Sequence, residues 1–175
     1  MRASKNGPTL SDRPILPDVL RPGLRLVFCD TAAGKRSAQE GAYYAHPGNM
    51  FWRALFQAGL TPRLLTPQEF PLLPEFGIGL TDLAKRHSGN DADLPRDAFD
   101  VPALRAKIER YQPRVLAFTS KTAARTALGR PIISCGPQPE CIGATHIVVL
   151  PSPSGQARGH WDIGPWRELA GRISG

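Results

Sequence analysis

The sequence predicts an α/β fold, a mainly parallel sheet with helices on both faces. Three observations predict it. The run Leu24–Cys29 is apolar without polar alternation beyond Arg25, which suits an inner strand of a parallel sheet. The segments 49–58 and 101–111 carry apolar residues at helical spacing. Strand-like and helix-like segments alternate along the chain, and such alternation implies right-handed crossovers with helices packed on either side of the sheet.

The elements follow in order. Residues 1–20 hold Arg2, Lys5 and Arg13 among prolines and read as a basic, flexible tail, leaving 21–175 as a single domain. After the first strand, 30–48 reads as loop. The helix over Asn49–Ala58 shows Phe51, Trp52, Leu55 and Phe56 on one side and stops at Gly59. Thr66 is placed to cap a short helix beginning at Pro67. Phe76–Ala84 is the second strand, and its glycines imply something packed against the backbone. A polar loop fills 85–99. Val101–Tyr111 is a helix ended by Pro113, with Leu104, Ile108 and Tyr111 on one face. Arg114–Thr119 is the third strand, and a helix capped at Thr119 or Ser120 runs from it to about Leu128. Residues 130–144 are rich in Pro and Gly, with a short strand over Glu140–Ile142. Thr145–Leu150 is the fourth strand of the parallel set. A second special loop covers Pro151–Gly159, and Asp162 caps a last helix reaching Ile173. In a parallel sheet the strand C-termini share one edge, so Asp30, Asp82, Ser120 and Ser152 should line one rim, where open α/β sheets bind ligands.

Bulk composition narrows the function classes. A chain of 175 residues with 41% hydrophobic content is one domain large enough to bury a core. No apolar run reaches membrane-spanning length and the start lacks a secretion-signal core, so a cytoplasmic location is expected. The three cysteines are irregularly spaced and the four histidines scattered, so neither disulfides nor a metal is expected. A net charge of +7 favours a polyanionic partner such as nucleic acid. Gly34-Lys35 invites a phosphate-loop reading, but Cys29 and Arg36 stand where that pattern needs Gly and Ser or Thr. No G-x-S-x-G elbow of a serine hydrolase is present.

Several motifs occur together. Tyr43-Tyr44-Ala45-His46-Pro47-x-Asn49-x-Phe51-Trp52 follows the first strand. Leu65-Thr66-Pro67-Gln68-Glu69, then Gly79-x-Thr81-x-Leu83, then Leu150-Pro151-x-Pro153-Ser154-Gly155 come after it. Over about residues 20–172 this series resembles the mismatch-specific uracil-DNA glycosylases, of the thymine-DNA glycosylase branch of the uracil-DNA glycosylase superfamily. The resemblance implies a three-layer α/β/α sandwich around a short, mainly parallel sheet. It implies a monofunctional enzyme without cofactor or metal, initiating base excision repair by hydrolysing the glycosidic bond of uracil, or of thymine or other altered bases. The partner implied is double-stranded DNA with G:U or G:T mismatches, bound by a monomer.

The resemblance also assigns residues. Tyr44 stands where the family stacks an aromatic ring on the flipped base. Thr31 matches a residue whose backbone helps hold that base, and Ser37 matches a serine near it. His46 is read as a structural hydrogen-bonding residue in its tight turn. Gly155-Gln156-Ala157-Arg158 falls on the loop that enters the duplex, with Gln156 where the family pattern Gly-Leu-Ser-Arg has an apolar wedge, and Arg158 retained. Lys121, at a helix start, is a candidate phosphate contact. The family's Gly-Ile-Asn-Pro-Gly is replaced by Asp30-Thr31-Ala32-Ala33-Gly34. Ala32 takes the place of the Asn that positions water and has no polar side chain to do so. A carboxylate can both orient water and stabilise an oxocarbenium-like sugar. Asp82, in an apolar strand at the rim, is the chosen catalytic residue, since a charge there is costly unless paired or used. Asp30, Asp91 and Asp93 are its rivals. The readings in competition are a DNA-lesion binder without turnover, following loss of the Asn at Ala32, and a fold that holds some other nucleotide-like ligand.

Overall fold

The computed structural model describes residues 13–175. Five strands, β1 (Leu26–Ala33), β2 (Ile78–Ser88), β3 (Val115–Phe118), β4 (Gly136–Ile142) and β5 (Thr145–Val149), form one sheet in the order β2-β1-β3-β5-β4. β2, β1, β3 and β5 run parallel, while β4 pairs antiparallel with β5 at one edge. The described residues also form five α-helices, α1 (Lys35–Glu40), α2 (Phe51–Gln57), α3 (Val101–Tyr111), α4 (Lys121–Leu128) and α5 (Gly164–Ile173), and a 3-10 helix over Pro67–Phe76, where the short helix after Thr66 was expected.

The two-residue period of the strands builds the layers. Leu26, Phe28, Ile78 and Leu80 pack on one side with Phe51 and Leu55 of α2 and Trp166 and Leu169 of α5. Val27, Cys29, Leu116 and Phe118 pack on the other with Leu104 and Ile108 of α3 and Ala123 and Ala127 of α4. The expected α/β/α sandwich with a mainly parallel sheet is the observed architecture. Ser120 caps α4 by accepting from Ala123 N at 3.0 Å. The Asp162 side chain accepts from Gly164 N at 2.8 Å, at the start of α5.

Four boundaries differ from expectation. β1 continues through Ala33, and the loop read over 30–48 contains α1. That helix, KRSAQE, has no apolar stripe; Gly34 and Gly41 bound it, Gly41 with φ 65°. β2 runs on to Ser88, because its last residues pair with β1 past a register shift at Ala32/Ala33. β4 starts at Gly136 rather than Glu140 and accommodates Pro137 and Pro139, which an edge strand tolerates.

The tail expected over 1–20 falls partly, at 1–12, outside the described residues. Residues 13–20 lie along the open edge of β2. Ile15 N donates to Lys85 O at 2.6 Å, and Val19 and Leu80 exchange two backbone hydrogen bonds of 2.9 Å. Leu16 is 1% exposed. The strap explains Gly79: a Cβ there would lie 2.4 Å from Val19 O and 2.7 Å from Leu24 Cδ1. Backbone cannot move aside as a side chain can. Gly79→Ala is expected to cost about 1–3 kcal/mol and to free the strap, read as a lower denaturant midpoint and new proteolytic cutting near residue 20.

Candidate active site

The C-terminal edge of the sheet opens into a cleft of about 850 Å³. Its wall includes Asp30, Asp82, Ser120 and Ser152, one from each of the four parallel strands or the turn after it. Asp30 and Asp82 are register partners on β1 and β2. Each follows two apolar residues of the Phe51–Trp166 side, Leu26 and Phe28 before Asp30 and Ile78 and Leu80 before Asp82. Strand alternation therefore aims both carboxylates at the layer that carries Tyr43 and Tyr44.

Tyr44 lines the same cleft. Its ring stacks on Phe51 with centroids 3.9 Å apart and 17° between planes. Its hydroxyl shares a 3.0 Å hydrogen bond with the buried Thr119 Oγ1. Its φ is +51°, a left-handed backbone rare outside glycine. Strain of this kind persists where the surroundings over-determine a conformation. Here Phe51, Thr119 and Ser37 do so, Ser37 through a 3.0 Å bond that its Oγ accepts from Ala45 N. Ser37 is thus a pin that holds the aromatic wall to α1, as well as a cleft residue.

The two carboxylates differ in surroundings. Asp82 is 5% exposed. Burial pushes its carboxyl up to about 7; Lys85 pulls against that rise, and Asp30 and Asp18 add to it. Lys85 Nζ lies 3.9 Å from Asp82 Oδ2. Asp30 is half-buried at the cleft. Burial raises its carboxyl to about 6, against the hydrogen bond from Thr31 N and with help from the nearby Asp91. Thr31, whose backbone is expected to help hold the base, lines the cleft, and its N–H donates to Asp30 Oδ1 at 2.7 Å. The Thr31 hydroxyl donates to Asp91, another cleft residue.

Ala32 lies among the methyl groups of Ala84 and Ala98. Ala32 lines the cleft, and it brings no side chain there that could orient water. Gly155, Gln156 and Arg158 sit on a 3-10 turn, Gly155–His160, at the cleft wall. Gly155 approaches Gly48 closely: a Cβ on it would stand 3.2 Å from Gly48 O. His46 Nδ1 accepts from Gly48 N at 2.9 Å, which fixes that loop and agrees with a structural role. Met50 N donates to Pro153 O at 2.7 Å, which joins the two loops beside that close approach. Lys121 begins α4, one residue beyond the cleft-lining Ser120, and is not itself on the wall. Asp91 lines the cleft on a 3-10 turn, whereas Asp93 does not.

A cluster that sequence reasoning missed lies behind Asp82. Lys85 Nζ is 2.9 Å from Asp18 Oδ1 and 3.1 Å from the Tyr43 hydroxyl. Lys107 Nζ is 2.7 Å from Asp18 Oδ2, and the Thr81 hydroxyl donates to Asp18 at 2.7 Å. Its members come from the strap, the turn after α1, β2 and α3, so no local sequence signal joins them. Among the described residues no group of His, Cys, Asp and Glu is arranged to hold a metal, and no helix is long and apolar enough to cross a membrane.

A family model described as the uracil DNA glycosylase superfamily matches residues 17–170. The solution structure of a candidate uracil DNA glycosylase from Methanosarcina acetivorans is similar in fold. It superposes with a TM-score of 0.65 at 22% identity, covering 93% of this chain and 98% of its own.

Proposed function

This chain belongs to the uracil DNA glycosylase superfamily, and on that premise we propose that it excises uracil from mismatched duplex DNA, with Asp82 orienting the attacking water. The observation that carries this reading is that Asp82 and Tyr44 share one cleft wall. A base must leave the stack before its glycosidic bond can be reached, at a cost of a few kcal/mol that is least for a mispair. The flipped base stacks on Tyr44, whose ring is backed by Phe51. The ionised Asp82 carboxylate takes up the water's proton and faces the positive charge that develops on the sugar. Lys85, itself neutralised by Asp18, favours that ionised form without entering the cleft wall.

The turn at 155–158 is placed to fill the gap left by the base, with Gln156 offering an amide to the orphaned guanine and Arg158 a charge to the backbone. Outside the cleft, Lys121 adds a phosphate contact. Such contacts make binding fall steeply with salt. We place the protein in the cytoplasm as a monomer acting on chromosomal DNA.

Single-turnover base release from duplexes holding G:U, G:T or A:U tests the reading. Release from G:U ahead of A:U is expected. Tyr44→Ala should lose about 10- to 100-fold in apparent affinity for the flipped base, the equivalent of about 1–3 kcal/mol of stacking, and Tyr44→Phe should keep most of it. Equal rates on G:U and A:U would remove the mismatch preference. Tight lesion binding with no release would favour the second reading, a binder, which the methyl-lined setting of Ala32 supports.

A further inference from the structure

We propose that Asp30 is a second catalytic residue, the acid that hands a proton to the departing base while Asp82 receives one from water. The proposal rests on the glycosylase reading above and deepens it. Three placements carry it. Asp30 and Asp82 are register partners on neighbouring parallel strands, so their backbones stand about 4.8 Å apart. Both line the cleft that holds Tyr44. Thr119, whose hydroxyl bonds the Tyr44 hydroxyl, is held to β1 next to Asp30 by its N–H, which donates to Cys29 O at 3.0 Å.

The two positions suit different tasks. Asp82 lies deeper, with Lys85 beside it. Asp30 is the more open of the two, and it is the charge felt most strongly at Tyr44. Asp30 is faced by Thr31 on its own strand, Thr119 after β3, Asp91 on the 3-10 turn and Asp82 on β2. Asp82 is faced by Lys85 on its own strand, Asp18 on the strap, Lys107 on α3 and Asp30 on β1, with the Tyr43 hydroxyl close by. Cys29 lies beneath both on the opposite side of the sheet. Lys35, Arg36, His46 and Arg158 are the other charged or titratable groups of the cleft wall.

Like charges so placed cannot both ionise freely, so the pair holds one proton over a middle range of pH; at rest that proton sits mainly on Asp82, raised to about 7, and the reactive form is the tautomer that carries it on Asp30, raised to about 6. The step balances with that single proton. The C1′–N bond breaks and its electron pair leaves with the base, which takes the Asp30 proton. Water forms the new C1′–O bond and gives its proton to Asp82. The products are the neutral base and the sugar hydroxyl, and the pair still carries one proton, now on Asp82. Transfer back to Asp30 regenerates the reactive tautomer.

The test compares uracil with 5-fluorouracil, a better leaving group, in otherwise identical G-opposed duplexes over a range of pH. For the wild type on uracil, a bell-shaped rate profile is expected, with its alkaline limb much weaker on 5-fluorouracil. Asp30→Asn should slow release of uracil by about 100-fold or more but of 5-fluorouracil by 10-fold or less, and should lose the alkaline limb. Asp82→Asn should slow both bases by the same factor. Equal losses on both bases in Asp30→Asn would overturn the proposal. So would a wild-type alkaline limb of the same depth on both bases, a result that depends on no variant. Release of neither base by the wild type would instead remove the glycosylase reading itself.

Discussion

Asp82→Asn is expected to cut base release by about 10²- to 10⁴-fold near neutral pH and to make the protein more stable at pH 8. The two effects have one cause. The folded state holds the Asp82 carboxyl near 7, up from 3.8, because burial disfavours its charge. Folded protein therefore binds the proton more tightly than unfolded chain does. The stability that this supplies is fully present below about pH 4 and is lost as pH rises through about 7. Above that point the charge is buried at a cost of roughly 2–4 kcal/mol. Asn keeps the shape and carries no charge, so the variant gains most of this at pH 8 and nothing at pH 4. Lys85 retains Asp18 as its partner in the variant. Melting curves at the two pH values, beside single-turnover rates, check both halves. A variant as active as wild type would take Asp82 out of the chemistry. One no more stable at pH 8 would show that Lys85 already compensates the charge.

Trp166→Ala is expected to destabilise the fold by about 3–5 kcal/mol, a fall of about 10 °C or more in Tm for a chain of this size. Trp166 is fully buried. Its ring stacks on Phe28 at 5.6 Å and meets Phe51 edge-on at 5.9 Å. Its indole N–H donates to Pro151 O at 3.4 Å, where the second cleft loop begins. Phe51 in turn backs Tyr44 at 3.9 Å. Removing the indole leaves a cavity under Phe51, the ring that backs Tyr44. The variant should therefore also bind uracil-containing DNA more weakly than its residual stability explains. Trp166→Phe should recover most of both losses. A cost below about 1 kcal/mol would contradict the packing described.

What was legible in the sequence was whatever had a local cause. α3 was legible because Leu104, Ile108 and Tyr111 recur at helical spacing and Pro113 follows its end; in the structure the Asp100 side chain also caps its start, accepting from Ala103 N at 3.0 Å. The parallel strands were legible as apolar runs, and their shared edge followed from topology, so Asp30, Asp82, Ser120 and Ser152 were expected on one rim and are found there. α1 was not legible, since its six residues carry no apolar period. The extent of β4 was hidden by Pro137 and Pro139, which argue against a strand everywhere except at an edge. The Asp18–Lys85–Lys107 cluster and the Tyr44–Thr119 hydrogen bond join residues far apart in sequence. Each depends on register and crossover geometry that no window of residues contains. The pairing of Asp30 with Asp82 is of the same kind: each residue was visible alone, while their adjacency is a property of the sheet.

The sheet is closed at its two margins by different devices. Prolines stud β4 on one side, and the strap at 13–20 covers β2 on the other. The first cannot be removed by proteolysis, whereas the second can. A chain cut near residue 20 would present the unpaired backbone of β2, a template for strand addition by another molecule. Self-association would then begin on the strand that carries Asp82, and a truncated preparation would lose soluble protein and active sites together.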